Sequence, residues 1–220
     1  QYEDIRVRII EESGRSASLS SLIRLRMYCC HPWLVYDMDN DPTESSPKYQ
    51  RMTEILQEIV ENNEKTLIFT SFIKMEDILL SDLKNRFRGM YINNIDGRVP
   101  IENRQNIVDE FNSAPDSAIL ILNPKAAGTG LNLTGATHVI HYNPEWNPAI
   151  VDQASARAHR RGQDRPVTIH YLYYNRTVED IMKDRLERKR DLFNNAIVGT
   201  TGDEDDYNDI VHAMSISPFH

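Results

Sequence analysis

The chain has 220 residues, enough for one substantial domain with a helical appendage and a sizeable core, and with 40% hydrophobic and 26% charged residues it is not disordered throughout. Its formal net charge of −8 is localised: without the nine acids Asp37, Asp39, Asp41, Glu44, Asp203, Glu204, Asp205, Asp206 and Asp209 the remainder carries +1, so global acidity does not exclude a phosphate-backbone partner. There is no bilayer-length apolar run and no signal peptide, which excludes a membrane role and points to the cytoplasm or the nucleus.

In chain order, the start at Gln1 reads as a fragment of a longer protein. Leu19, Leu22, Ile23 and Met27 recur at helical spacing and His31-Pro32 supplies a stop, so a helix is expected over Leu19 to Cys30. Cys29 and Cys30 lie inside that pattern and read as structural thiols, since no second cysteine pair exists to complete a zinc site. Asp37 to Ser46 is acidic, contains Pro42, and reads as a linker. Ser46-Pro47 then starts a helix whose core face is Met52, Ile55, Leu56, Ile59 and Val60.

From Thr66 onward short apolar runs alternate with helical stretches. Strands are expected over Thr66 to Thr70, Met90 to Ile95, Ala118 to Leu122, Thr137 to Tyr142 and Val167 to Tyr173. Helices are expected over Ile73 to Arg86, Pro100 to Asn112, Pro148 to His159 and Thr177 to Ala196. This alternation is the signature of an α/β fold, a mostly parallel sheet with helices on both faces. Ligands gather outside the carboxyl ends of such strands, so the loops after Thr70, Ile95, Leu122 and Tyr142 are where function is sought.

Each of those loops carries a candidate group. Thr70 and Ser71 place hydroxyls at a strand end, where they can bind phosphate oxygens or simply cap a helix. Asp96-Gly97-Arg98 ends a second strand and is either a plain turn or a phosphate contact. NPKAAGTGLNL, from Asn123 to Leu133, offers Gly128 and Gly130 for close backbone approach and Lys125, Thr129 and Asn132 as a cation and short polar groups; its plainer reading is a glycine-rich strand-to-helix turn. In NPEWNP, Pro144 and Pro148 stiffen a turn that presents Trp146, either as a core plug or as an exposed aromatic packing on a nucleotide or another domain.

The most informative stretch is QASARAHRRGQ, Gln153 to Gln163. If it is helical, Gln153, Arg157 and Arg160 at i, i+4 and i+7 form one stripe. Two permanently charged planar forks held together suit a polyphosphate whose charge grows during transfer of its terminal phosphoryl group, although paired arginines on a helix are also a common solvated face.

The ordered series TLIFTSF, IDG, NPKAAGTGLNLTGATHVIHYNPEWNP and DQASARAHRRGQDRPV closely resembles the second RecA-like lobe of the SWI/SNF-like ATP-dependent DNA translocases of helicase superfamily two. LRMYCCHPWLV resembles that family's lead-in to the lobe, and TVEDIMKDRLERKRDLFNNAIVG its closing helix, which bridges back to the first lobe, so the likeness covers Leu19 to Gly199. It implies a RecA-like motor lobe over 47–176, preceded by a helical lead-in and acidic linker (1–46) and followed by the bridging helix (177–199) and an acidic tail (200–220).

The resemblance assigns Arg157 and Arg160 as arginine fingers that reach ATP bound on the other lobe, with Gln153 opening their motif. Gly128, Gly130 and Asn132 fall near the nucleotide. Ser71, Gly97, Arg98, Asn123, Lys125 and Thr129 fall where the lobe approaches one strand of double-stranded DNA, and Trp146 matches the aromatic that couples nucleotide state to DNA grip. Two departures stand out: the family's adjacent glycines are Ala127-Gly128 here, and its frequent isoleucine in the last motif is Arg161.

No GxxxxGK[ST] phosphate loop occurs, nor a magnesium-binding acidic box in the expected place. ATP and Mg2+ are therefore expected mainly on the first RecA-like lobe of the same protein, and this lobe alone is expected to be inactive. The rival readings are an RNA helicase lobe, which the NLT and WNP blocks oppose, and a catalytically silent DNA-binding or scaffold module, which both arginines oppose. A dinucleotide-binding oxidoreductase is opposed by the lack of GxGxxG.

Overall fold

A computed structural model describes residues 2–13, 18–37, 40–126, 130–145, 147–156, 158 and 165–194. The chain divides into two compact units: one comprises the described parts of Gln1–Asp39, Pro144–Pro148 and Tyr173–His220, and the other those of Asn40–Asn143 and Ala149–Leu172.

The first unit is helical, with α1 (Tyr2–Ser13), α2 (Ser18–Cys30), a 3-10 turn at Pro32–Leu34, and a long C-terminal helix, Val178–Asn194. Its core gathers Ile9, Leu22, Leu25, Cys29, Val178 and Ile181, with Tyr2 and Ile5 packed against them. The helix over Tyr2–Ser13 was not among the expected elements, although Tyr2, Ile5 and Ile9 fall on one face. Its partner is 176 residues away, where the Val178 N–H donates to the Tyr2 hydroxyl at 3.1 Å. Cys29 and Cys30 are both buried and are not joined in a disulfide.

The second unit contains α3 (Pro42–Ser45), α4 (Pro47–Glu61), β1 (Lys65–Phe69), α5 (Ile73–Arg86), β2 (Tyr91–Ile95), α6 (Ile101–Ser113), β3 (Ala118–Leu122), β4 (His138–His141), α7 (Pro148–Ser155) and β5 (Thr168–Tyr171); the helix Val178–Asn194 is then α8. All five expected strands form, each within two residues of its expected ends, in one sheet of order β2-β3-β1-β4-β5. Every neighbouring pair is parallel.

The acidic segment read as a linker holds the one-turn α3, started by Pro42 at N1 and by Asp41, whose carboxylate accepts the Thr43 N–H at 2.8 Å. At α4, Ser46 Oγ accepts the Tyr49 N–H at 3.2 Å, and Met52, Ile55, Leu56 and Ile59 are buried as expected.

The central strands β3, β1 and β4 are buried on both faces, which is why they read as apolar runs, whereas β5 at the sheet edge is largely exposed. Leu67, Phe69, Ile95, Leu120, Leu122 and Val139 point to one face and form a core with Val108 and Phe111 of α6. Ile68, Ile119, Ile121 and Ile140 point to the opposite face and are equally buried. On that side α4 and α5 are tied by the Tyr49 hydroxyl, which donates to Asp82 at 2.7 Å. By the right-handed rule for parallel crossovers this strand order puts α5 on one face of the sheet and α6, whose Val108 and Phe111 join the core named above, on the other. Among the described residues no helix is long and apolar enough to cross a membrane.

Candidate functional site

At the carboxyl edge, backbone bonds continue beyond the strands and bring the candidate loops into line. Asn123 N–H donates to Ile95 O at 3.0 Å, Thr70 N–H to Leu122 O at 3.1 Å and Tyr142 N–H to Phe69 O at 3.0 Å. Asp96-Gly97-Arg98, Asn123-Pro124-Lys125, Thr70-Ser71 and Asn143 thus stand side by side on four adjacent strands.

Within that row several groups are braced rather than open. Thr70, 1% exposed, spends its hydroxyl proton on Asn143 Oδ1 at 2.8 Å, so its Oγ1 is a structural donor and not an outward phosphate ligand. Asn143 Oδ1 also accepts the Ser71 N–H at 3.2 Å, and its Nδ2 donates to Ser71 Oγ at 2.9 Å. Asn123 likewise works inward, its Nδ2 donating to Glu76 Oε1 at 3.1 Å and its Oδ1 accepting the Lys125 N–H at 3.2 Å. Lys125 itself is exposed.

Arg98 is half exposed and already paired. It grips Asp77 of α5 through Nη2 at 2.6 Å and Nη1 at 3.2 Å, and Asp96 Oδ2 through Nη2 at 2.6 Å and Nε at 2.9 Å. Its hydrogen bonds to the carboxylates of Asp77 and then Asp96 hold its pKa above the ordinary arginine range. For the fully buried Asp96, burial works to raise the pKa, but the side-chain and backbone hydrogen bonds from Arg98 outweigh it and keep the group ionised. A phosphate reaching Arg98 must compete with the Asp77 carboxylate.

Sequence reasoning missed three supports of this edge. Arg104 of α6 is buried and donates to three backbone carbonyls: Val99 at 3.0 Å, Asp96 at 3.2 Å and Ala126 at 3.3 Å, which ties the loops after β2 and β3 together. Glu76 in the first turn of α5 has its pKa pushed up to about 8, mainly by burial and further by the Asp96 charge. Its Oε2 has no well-formed hydrogen-bond partner among the described residues. His141 of β4 is the third, with Nε2 2.9 Å from Ser155 Oγ. A buried acid or histidine inside an apolar pattern was the one signal available.

The nucleotide candidates are placed in part. Gly130 has φ +81, a conformation that favours glycine, and is exposed. Asn132 is exposed, and its carbonyl accepts from Asn112 Nδ2 at 2.8 Å. Gln153 is exposed on α7. Gly128, Thr129, Trp146, Arg157 and Arg160 lie outside the described residues. One expectation is corrected: the helix expected over Pro148 to His159 ends at Ser155. Its last α-type bond is Ala156 N–H to Asp152 O at 2.9 Å, after which Ala158 N–H turns to Ser155 O at 3.2 Å and Ala158 enters the core.

Among the described residues no group of three or more His, Cys, Asp or Glu side chains is placed to hold a metal ion.

Comparison with known proteins places these features in a family. Residues 47–162 match the helicase conserved C-terminal domain. The chain is 38% identical over 178 residues to the putative ATP-dependent helicase/translocase YwqA of Bacillus subtilis (strain 168), covering 79% of this chain and 19% of that protein. It is similar to the solved Sulfolobus solfataricus SWI2/SNF2 ATPase C-terminal domain with a TM-score of 0.74 at 26% identity, over 98% of this chain and 92% of that one. Against the Sulfolobus solfataricus SWI2/SNF2 ATPase core in complex with dsDNA the TM-score is 0.73 at 29% identity, over 98% and 46% of the two chains. The chain spans 17% to 19% of the length of the bacterial relatives it matches.

Proposed function

This chain belongs to the helicase conserved C-terminal domain family, as a SWI/SNF-like C-terminal RecA-like lobe, and on that premise we propose that it is the second motor lobe of an ATP-dependent double-stranded DNA translocase. In the whole protein ATP sits in the cleft between two lobes, held with Mg2+ mainly by the first. Arg157 and Arg160 stabilise charge on the transferring phosphoryl group as water attacks, and Gln153, Gly128, Gly130 and Asn132 line the nucleotide side. Ser71, Gly97, Arg98, Asn123, Lys125 and Thr129 give footholds on one DNA strand, with Trp146 coupling nucleotide state to grip. The protein works in the cytoplasm of a prokaryote or the nucleus of a eukaryote, and the lobe by itself does not hydrolyse ATP.

The observation that carries this reading is the alignment of Ser71, Gly97-Arg98 and Asn123-Lys125 along one edge of the sheet. A row carrying the Ser71 hydroxyl and the Arg98 and Lys125 cations, spaced by strand separation, suits a sugar-phosphate track and reads no bases. Stimulation of the full-length ATPase should accordingly be strong with duplex DNA, weak with RNA, and indifferent to base sequence. Lys125→Ala should weaken duplex binding equally for all sequences and reduce the log–log salt slope by about 1. Equal stimulation by RNA would assign the lobe to an RNA helicase, and hydrolysis unmoved by either polymer would make it a silent module.

A further inference from the structure

His141, the last residue of β4, is 4% exposed and sandwiched between two rings of neighbouring strands. Phe69 of β1 stacks on one side with centroids 5.4 Å apart and planes at 17°, and Tyr171 of β5 on the other at 5.0 Å and 8°. The sandwich fixes the imidazole plane, so the ring can meet a partner only along its edge. There its Nε2 lies 2.9 Å from Oγ of Ser155, the final residue of α7, as donor or acceptor according to the tautomer.

A serine late in a helix ordinarily bonds back to a carbonyl one turn earlier. Ser155 is committed instead to a side chain of the sheet. Three residues on, Ala158 is fully buried in the core and its N–H returns to Ser155 O at 3.2 Å. The backbone is therefore anchored two residues before Arg157 and one residue after it.

We propose that the His141–Ser155 hydrogen bond is a latch that fixes the end of α7, two residues before Arg157 in the chain, making both side chains positioning residues for ATP hydrolysis. The inference rests on Arg157 acting at the phosphates. A guanidinium aimed at developing charge is effective only in register, and a displacement of about 1 Å can cost about 100-fold in rate. Neither latch residue needs to touch nucleotide or DNA for this to hold.

The test compares Ser155→Ala, Ser155→Thr, His141→Leu and the Ser155→Ala/His141→Leu double variant in the full-length protein, with Arg157→Ala alongside. Loss of the latch should lower the DNA-stimulated kcat about 10-fold, leaving the KM for ATP and duplex affinity within about twofold. Ser155→Thr, which keeps the hydroxyl, should recover most of the rate, and the double variant should be no slower than either single one, because a single bond is lost once. Wild-type kcat in Ser155→Ala and His141→Leu beside an inactive Arg157→Ala would overturn the latch and leave the arginine assignment standing. Normal turnover by Arg157→Ala would remove the premise itself. A rate loss that Ser155→Thr fails to recover, or one matched by a rise in KM and a drop in Tm, would reduce the contact to ordinary packing and overturn the proposal.

Discussion

Replacing Arg157 or Arg160 with alanine in the full-length protein is expected to lower DNA-stimulated ATP hydrolysis about a thousandfold, close to 4 kcal/mol of transition-state stabilisation, while ATP still binds to the first lobe. The expectation follows from the charge of the reaction. As the terminal phosphoryl group leaves, negative charge spreads over oxygens that the first lobe approaches from one side only, and a permanently charged donor from the second lobe completes the cage at closure. Lysine substitutions should recover little, since an ammonium offers one compact charge where the guanidinium offers a planar fork. Each arginine should be measured separately, with single-turnover hydrolysis beside nucleotide binding. Near-normal turnover in both variants would refute the assignment.

How far such sites can be read from a sequence depends on whether their partners are local. AILIL and TLIF were legible as strands because a parallel sheet covered on both faces needs unbroken apolar runs. The loops were legible because hydroxyls, asparagines and glycines concentrate where such strands end. What the loops do with their side chains was not legible. Thr70 and Asn143 are 73 residues apart, and Asn123 and Glu76 are 47 apart, so only strand order makes them partners. Asp77 read as an ordinary helix residue until the fold set it against Arg98. His141 sat in an apolar run, VIHY, and nothing local marks a ring stacked on both faces. α7 ends at Ser155, short of the expected His159, and of the three alanines in QASARAHRR the sequence does not mark Ala158 as the one that enters the core.

Glu76 supplies the second large effect, on stability. With its pKa pushed from 4.5 to about 8, first by burial and then by Asp96, the folded chain retains a proton that the unfolded chain has released. Stability from this group is thus full below pH 4.5 and is lost as pH rises toward 8, at up to about 1.4 kcal/mol per unit within that window. Glu76→Gln matches the shape of the neutral acid, can still accept from Asn123, and has no charge to bury, so its advantage over the wild type should grow steadily from pH 5 to pH 8 in urea unfolding of the 220-residue chain. Two other groups titrate with the opposite sign. His170, depressed by burial and then by His138, gains stability as pH rises through its ordinary range, and Asp96, held low by Arg98, matters only in acid. The His170 contribution is common to wild type and variant and leaves their difference unchanged. Arg98, raised further by its carboxylate partners, stays charged throughout, so its grip on Asp96 persists while a second negative charge develops beneath it at Glu76. That charge would sit under Asn123, at the root of the loop that presents Lys125, so duplex affinity should weaken above pH 8 in the wild type and not in Glu76→Gln. Parallel stability curves for the two proteins between pH 5 and pH 8 would mean that Glu76 is already ionised in the fold, and the neutral acid beneath the DNA edge would have to be abandoned.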